Sequence, residues 1–341
     1  MTTTQTSVVH DLGTLAHRLS HPARTPCVCE PPQVLADRPD GTVVRSGAIV
    51  AKAHAADTDR AALTARIALA AAPQLAGILL PPLTAPEPAA PTARPVTLWP
   101  LGAPVDPTDP GAAPWAEAAD LLARLHRTEP PFPLPPMRGP AKAARAVARM
   151  RAALRGDAIT PPRDPAVEPG DATAPPRDPA ALSVLAGWRA LPAWARGEAP
   201  APAPRADALC HGDLHLGQLV RHPAPDGPWL LIDMDDAGVG DPAWDLGRPA
   251  AWYAAGLLAP EDWSTFLDAY RAAGGPAVPA DGDPWPALDV PARALTVQTA
   301  AVALAKCAAE QRDPDDHEQL MIESCARIAT LPPELATGPA S

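Results

Sequence analysis

Proline occupies 49 of the 341 positions, and its clustering limits where regular structure can run. The prolines gather in residues 80–95, 129–140, 160–179 and 198–204. A pyrrolidine ring fixes φ and removes the backbone donor, so such stretches read as loops or extended linkers. The hexapeptide Pro-Pro-Arg-Asp-Pro-Ala at 161–166 recurs at 175–180, a low-complexity duplication within one such loop.

Between these stretches the patterns are regular. Residues 33–38 and 42–45 flank Pro39-Asp40-Gly41, a hairpin signal. Residues 48–53 read as the next strand, with Lys52 near its end, and residues 59–72 have helical composition up to Pro73. Residues 95–102 read as a strand leading into a hinge. Residues 115–128 form an amphipathic helix with Leu121, Leu122 and Leu125 on one stripe. Beyond it the chain is largely helical, over 141–154, 181–194, 249–258, 260–273, 290–311 and 316–330.

Composition excludes several classes. Charged residues make up 20% and the hydrophobic set 47%, a globular balance. The net charge of -11 argues against a nucleic-acid partner, which needs clustered Lys and Arg. An acidic surface would suit a cationic small molecule. The five cysteines, Cys27, Cys29, Cys210, Cys307 and Cys325, are odd in number and dispersed, unlike a disulfide framework. The polar first nine residues lack a basic segment followed by an apolar one, and the longest apolar run, 67–82, is broken by Pro73. The expectation is a soluble cytoplasmic protein with no membrane partner. Neither a Gly-x-x-x-x-Gly-Lys-Ser/Thr loop nor a Gly-x-Ser-x-Gly elbow occurs.

The chemistry concentrates in two blocks. His211-Gly-Asp-Leu-His-Leu-Gly-Gln218 sets the carboxylate of Asp213 near an amide side chain. Trp229-Leu-Leu-Ile-Asp233 then delivers a second carboxylate at the end of an apolar strand, with Asp235 and Asp236 close behind in a turn that reads as solvated. Phosphoryl transfer of the kinase type uses such a set: one Asp for the acceptor hydroxyl's proton, an amide oxygen and a strand-end Asp for Mg²⁺.

These blocks, with Gly240-Asp-Pro-Ala-Trp-Asp245, resemble the aminoglycoside phosphotransferase and choline kinase-type families in order and spacing. The resemblance implies an α+β, two-lobed protein kinase-like fold. A small strand-rich N-terminal lobe over 1–100 would be followed by a larger, mostly helical lobe over 101–341. It implies Asp213 as catalytic base, Gln218 and Asp233 as Mg²⁺ ligands, and Lys52 on the phosphates of ATP or GTP. Trp99 and Leu101 would lie along the adenine edge, and Asp245 would tie the catalytic loop to the following helix. The acceptor would be a hydroxyl of an aminoglycoside or amino sugar. Gln218 stands where these families usually carry Asn. His-Leu-Gly-Gln also resembles the maltokinase and glucosamine kinase branch, which leaves a sugar acceptor open.

One departure concerns Lys52, because the family lysine usually pairs with a Glu on the next helix and residues 59–72 contain none. Asp57 or Asp59 could substitute. Two rivals stand beside this reading. A metal-dependent hydrolase could use the alternating His211, Asp213 and His215 as ligands. A non-catalytic kinase-like module would bind Mg²⁺-nucleotide without turnover.

Overall fold

The computed structural model describes residues 3–21, 30–38, 41–83, 94–155, 178–202 and 207–332, without the side chains of 3–7 and 140. The Pro39-Asp40 turn, Cys27, Cys29, the hexapeptide at 161–166 and the first three residues of its recurrence at 175–180 lie outside them. So do parts of the proline-rich stretches at 80–95, 160–179 and 198–204.

From the amino end, helix α1 (Thr3–Ser20) leads into strands β1 (Gln33–Arg38), β2 (Gly41–Ser46) and β3 (Ile49–His54). Helix α2 (Arg60–Ala70), β4 (Val96–Pro100), the two-residue β5 (Ala103–Pro104) and α3 (Trp115–Arg127) follow. Then come α4 (Gly139–Leu154), α5 (Pro179–Ala190), β6 (Ala208–Cys210), β7 (Leu219–Arg221), β8 (Trp229–Leu231) and β9 (Gly238–Gly240). Helices α6 (Ala243–Ala255), α7 (Pro260–Ala272), α8 (Trp285–Glu310) and α9 (Asp316–Ile328) complete the order. A strand-rich amino-terminal region thus precedes a helical carboxy-terminal one, an α+β arrangement.

The chain forms two compact units. The first comprises Met1–Pro135 and Leu216–Asp235, so it runs past residue 100 and takes in β7 and β8. Its main sheet has the order β1-β2-β3-β4, antiparallel throughout. Thr42, Val44 and Ser46 alternate inward on β2, while Ala51 and Ala53 turn inward on β3. Val44, Ala51 and Ala53 meet Leu12, Leu15 and Ala16 of α1 in one buried cluster with Leu98. Burying each such leucine contributes about 1.5–3 kcal/mol. Because Ala51 and Ala53 face this cluster, the intervening Lys52 points to the opposite sheet face.

A second sheet, β5-β7-β8, carries the other chemistry of this unit. Leu219 pairs with Leu231, and the Ile232 N–H donates to Gln218 O at 2.9 Å. Gln218 and Asp233 therefore stand at the same end of the β7–β8 ladder. Gly102 passes so close to this sheet that a Cβ there would lie 2.5 Å from Val220 Cγ2.

The second unit comprises Pro136–His215 and Asp236–Ser341. Strands β6 and β9 pair antiparallel beneath the loop that starts at His211. Helices α4, α5, α6 and α9 pack around the long α8. Helices α6 and α8 start earlier than their prolines suggest, each carrying one inside, Pro249 and Pro291. Packing overrides the lost hydrogen bond here: Gly247 lets α6 approach α8 until an added Cβ would lie 3.1 Å from Pro291 Cβ. Among the described residues, no helix is long and apolar enough to cross a membrane. Cys210, Cys307 and Cys325 are free thiols.

Candidate active site

In the first unit, Lys52 is held by two carboxylates. Its Nζ lies 2.7 Å from Asp233 Oδ1 and 2.9 Å from Asp235 Oδ2. Burial works against the ammonium, but Asp233 and Asp235 outweigh it and raise the Lys52 pKa well above the lysine range. The acidic partner sought on α2 is therefore found on the turn after β8. Asp59 instead caps α2, accepting from the Ala61 and Ala62 N–H groups at 2.9 and 3.1 Å.

Asp235 is not a solvated turn residue. His54 Nδ1 meets its Oδ2 at 3.1 Å, and His54 Nε2 meets Thr97 Oγ1 at 2.9 Å. Thr97 Oγ1 in turn accepts from Trp99 Nε1 at 3.0 Å. A polar chain thus runs Trp99, Thr97, His54, Asp235, Lys52 across neighbouring strands. Burial pushes the Asp235 carboxyl up, but the His54 hydrogen bond and the Lys52 charge hold it well below the usual carboxylate range.

Asp233 adopts φ 63°, the left-handed region that Asp tolerates better than most residues. The conformation turns its carboxylate off the β8 line toward Lys52. The Asp233 and Asp235 oxygens and the Gln218 side-chain oxygen, on one ladder end, are the hard donors that suit Mg²⁺. Leu101, assigned to the adenine edge, has both backbone groups engaged: its N–H donates to Ala48 O at 2.8 Å, and its carbonyl meets His222 Nδ1 at 3.2 Å.

In the second unit, the catalytic-loop block is clasped by Asp245 in the first turn of α6. Its carboxylate accepts from the His211 N–H at 2.6 Å and the Gly212 N–H at 2.7 Å, and it is 1% exposed. Gly212 has φ 82°, and a Cβ there would fall 2.3 Å from Asp236 O, so only glycine makes this turn. His211 is fully buried, and its Nδ1 accepts from the Asp213 N–H at 3.3 Å.

The loop presents Asp213 to two cations that the motifs did not single out. Lys142 Nζ of α4 lies 2.7 Å from Asp213 Oδ2, and Arg248 Nη2 of α6 lies 2.5 Å from Oδ1. Lys142 also reaches Asp236 Oδ2 at 2.8 Å, so Asp236 is likewise paired rather than solvated. Burial pushes the Asp213 carboxyl up, but Lys142 and Arg248 outweigh it and hold it below its ordinary value. His215 goes the other way: burial first, then Arg248, lower its pKa to about 4, leaving a neutral imidazole at pH 7.

Two cations on Asp213 oppose the hydrolase rival, since a divalent ion would have to compete with both for one carboxylate. Lys142 lies far from Asp213 in sequence, and its only local signal is the acid-free basic run around it. Arg248 was the more legible of the two, because it falls three residues after Asp245, one helical turn along α6.

No curated protein matches the chain. Among solved structures, a thermostable mutant of aminoglycoside phosphotransferase APH(4)-Ia, in ternary complex with AMP-PNP and hygromycin B, superposes with a TM-score of 0.54 at 14% identity, covering 95% of this chain and 98% of that one. Choline kinase from Cryptosporidium parvum gives 0.53 at 10% identity, covering 90% of each chain. Choline kinase LicA from Streptococcus pneumoniae gives 0.51 at 12% identity, covering 96% of this chain and 99% of that one. These likenesses establish the kinase-like fold. Residues 40–288, well over half of the chain, match the family described as the phosphotransferase enzyme family. The chain is therefore a member of that family, a phosphotransferase acting on the hydroxyl group of a small molecule.

Proposed function

We propose that the protein transfers the γ-phosphoryl group of ATP, or GTP, to a hydroxyl of a sugar-like small molecule, with Asp213 as catalytic base. The observation that carries this reading is the Lys52 ammonium at 2.7 Å from Asp233, which joins the residues assigned to phosphate and metal in one cluster. Gln218 and Asp233 would hold Mg²⁺, with Asp235 beside them. The ion supplies charge neutralisation on the transferring phosphates.

Each protein group then has a task. Lys52 steadies the nucleotide phosphates, and the His54–Asp235 pair aims its ammonium. The segment from Trp99 to Leu101, at the end of β4, is the candidate adenine-side element. Asp213 accepts a hydrogen bond from the acceptor hydroxyl, orients it for in-line attack and takes its proton late, as suits a carboxylate held ionised by neighbouring cations. Asp245 fixes the loop that carries it.

The catalytic-loop resemblance supports an aminoglycoside or amino sugar as acceptor. Gln218 supports a second reading, a maltose- or glucosamine-type sugar kinase.

The test is acceptor-stimulated ADP release from Mg²⁺-ATP across aminoglycosides, glucosamine, maltose, choline and a macrolide, with Asp213→Ala alongside. Stimulation by one acceptor, lowered about 10²–10⁴-fold in the variant while nucleotide binding is kept, is the expected result. Nucleotide binding without turnover would favour a non-catalytic module, and loss of nucleotide binding in the wild type would sink the proposal.

A further inference from the structure

Residues 130–156 contain six basic side chains and no Asp or Glu, in a chain whose net charge is -11. Arg138, Lys142 and Arg145 fall four and three residues apart, which places them on one face at the start of α4. This is the face that meets the catalytic loop of the same unit. Lys142 touches both Asp213 and Asp236, and Arg138 Nε lies 3.6 Å from Asp236 Oδ1. Arg248 adds its charge from α6 at 2.5 Å from Asp213. Four cations here face two carboxylates. Asp245 contributes little compensation, because its oxygens are taken by backbone N–H groups, and His215 is neutral at pH 7.

Two observations show that this positive charge is incompletely matched by the protein. Arg248 Nε is buried without a hydrogen-bond partner. Arg145 is exposed at the surface, and partial burial of its guanidinium and the neighbouring charge of Arg138 lower its pKa, against the pull of Asp236.

We propose that the acceptor carries an anionic group, a carboxylate or a phosphate, beside its reactive hydroxyl, and that the Arg138–Lys142–Arg145 face of α4 receives it. This rests on the assignment of Asp213 as the base that meets the acceptor hydroxyl. A hydroxyl delivered to Asp213 brings its substituents against this face. There an ammonium would be repelled, and an anion would relieve the crowding of like charges. The sign is opposite to that of the amino-sugar acceptor suggested by the loop resemblance.

The experiment uses three matched pyranoses, glucuronate, glucose and glucosamine, titrated into the full chain loaded with Mg²⁺-AMP-PNP. ADP release is measured in parallel with Mg²⁺-ATP. The expected result is glucuronate binding about tenfold tighter than glucose and glucosamine weakest, with the spread shrinking as salt is raised. Arg145→Gln should flatten the order and Arg145→Glu should reverse it, with an unchanged melting temperature showing that both variants fold. A preference for glucosamine, an order indifferent to Arg145→Glu, or no binding of any member would overturn the proposal. Phosphorylation of glucosamine in preference to glucuronate would refute it while sustaining phosphotransfer. Tight glucuronate binding that Arg145→Glu reverses, with no transfer to any hydroxyl, would sustain an anion-binding face but overturn its assignment to the acceptor.

Discussion

At the scale of single residues, the most consequential feature is that Asp213 is flanked by Lys142 and Arg248 at 2.7 and 2.5 Å. In its proposed role as base Asp213 works only when ionised, so activity should fall on the acid side as pH drops through its pKa. The two cations keep that pKa below the carboxylate's ordinary value and so place the acid limb of kcat/KM at low pH. Replacing Lys142 by Gln removes one of them, raises the pKa and moves the limb to higher pH. Lys142→Arg keeps the charge and leaves the limb where it was. A pH–rate profile of the three proteins checks this, and a limb that stays put in Lys142→Gln would show that Lys142 does not act through Asp213. Sequence alone marked Asp213 and Asp233 because each sits in a compact local pattern. It could not mark Lys142 or His54, whose partners are 71 and 181 residues away in the chain. Ion pairs of that range are made by the fold, although the acid-free run around Lys142 was visible.

At the scale of elements, the catalytic loop is an extension of α6. Asp245 is drawn into the first turn of the helix and spends both oxygens on the loop's backbone. Removing a buried acceptor from two N–H donors leaves each unsatisfied, at a cost on the order of 1–3 kcal/mol per donor. Asp245→Ala should therefore lower kcat steeply and destabilise the second unit, with nucleotide affinity in the first unit little changed. Chemical denaturation beside nucleotide titration separates the two, and an unaltered kcat would refute the clasp. The helix boundaries show where local rules stop. Residues 115–128 were legible as a helix because their apolar stripe is periodic. The starts of α6 and α8 were not, because Pro249 and Pro291 read as helix openings, whereas packing of the two helices carries both prolines inside. Helix α1 escaped because the polar first residues dominate its start, although Val8, Leu12, Leu15 and Leu19 recur at helical spacing.

At the scale of the whole molecule, ligand binding should appear as stability. A ligand that binds only the native state adds about 2.7 kcal/mol at a hundred times its Kd. Mg²⁺-AMP-PNP should accordingly raise the melting temperature of the wild type, and Asp233→Asn, which tolerates the same positive φ, should abolish most of that rise. Equal stabilisation of both proteins would remove Asp233 from the metal site. The α+β order and the kinase-like plan were legible from motif order, since blocks that must cooperate chemically restrict how the chain can wind. The division into units was less so, because β7 and β8 join the first unit although they follow α4, α5 and β6 of the second. Lys52 has a final bearing on how ligands arrive. Seated on Asp233, it is a resident counter-ion, and a metal arriving alone must evict it without offering the ammonium a new seat. Nucleotide phosphates offer that seat. Metal and nucleotide should therefore strengthen each other's binding by the same factor, as linkage demands, and bare Mg²⁺ should be a poor visitor.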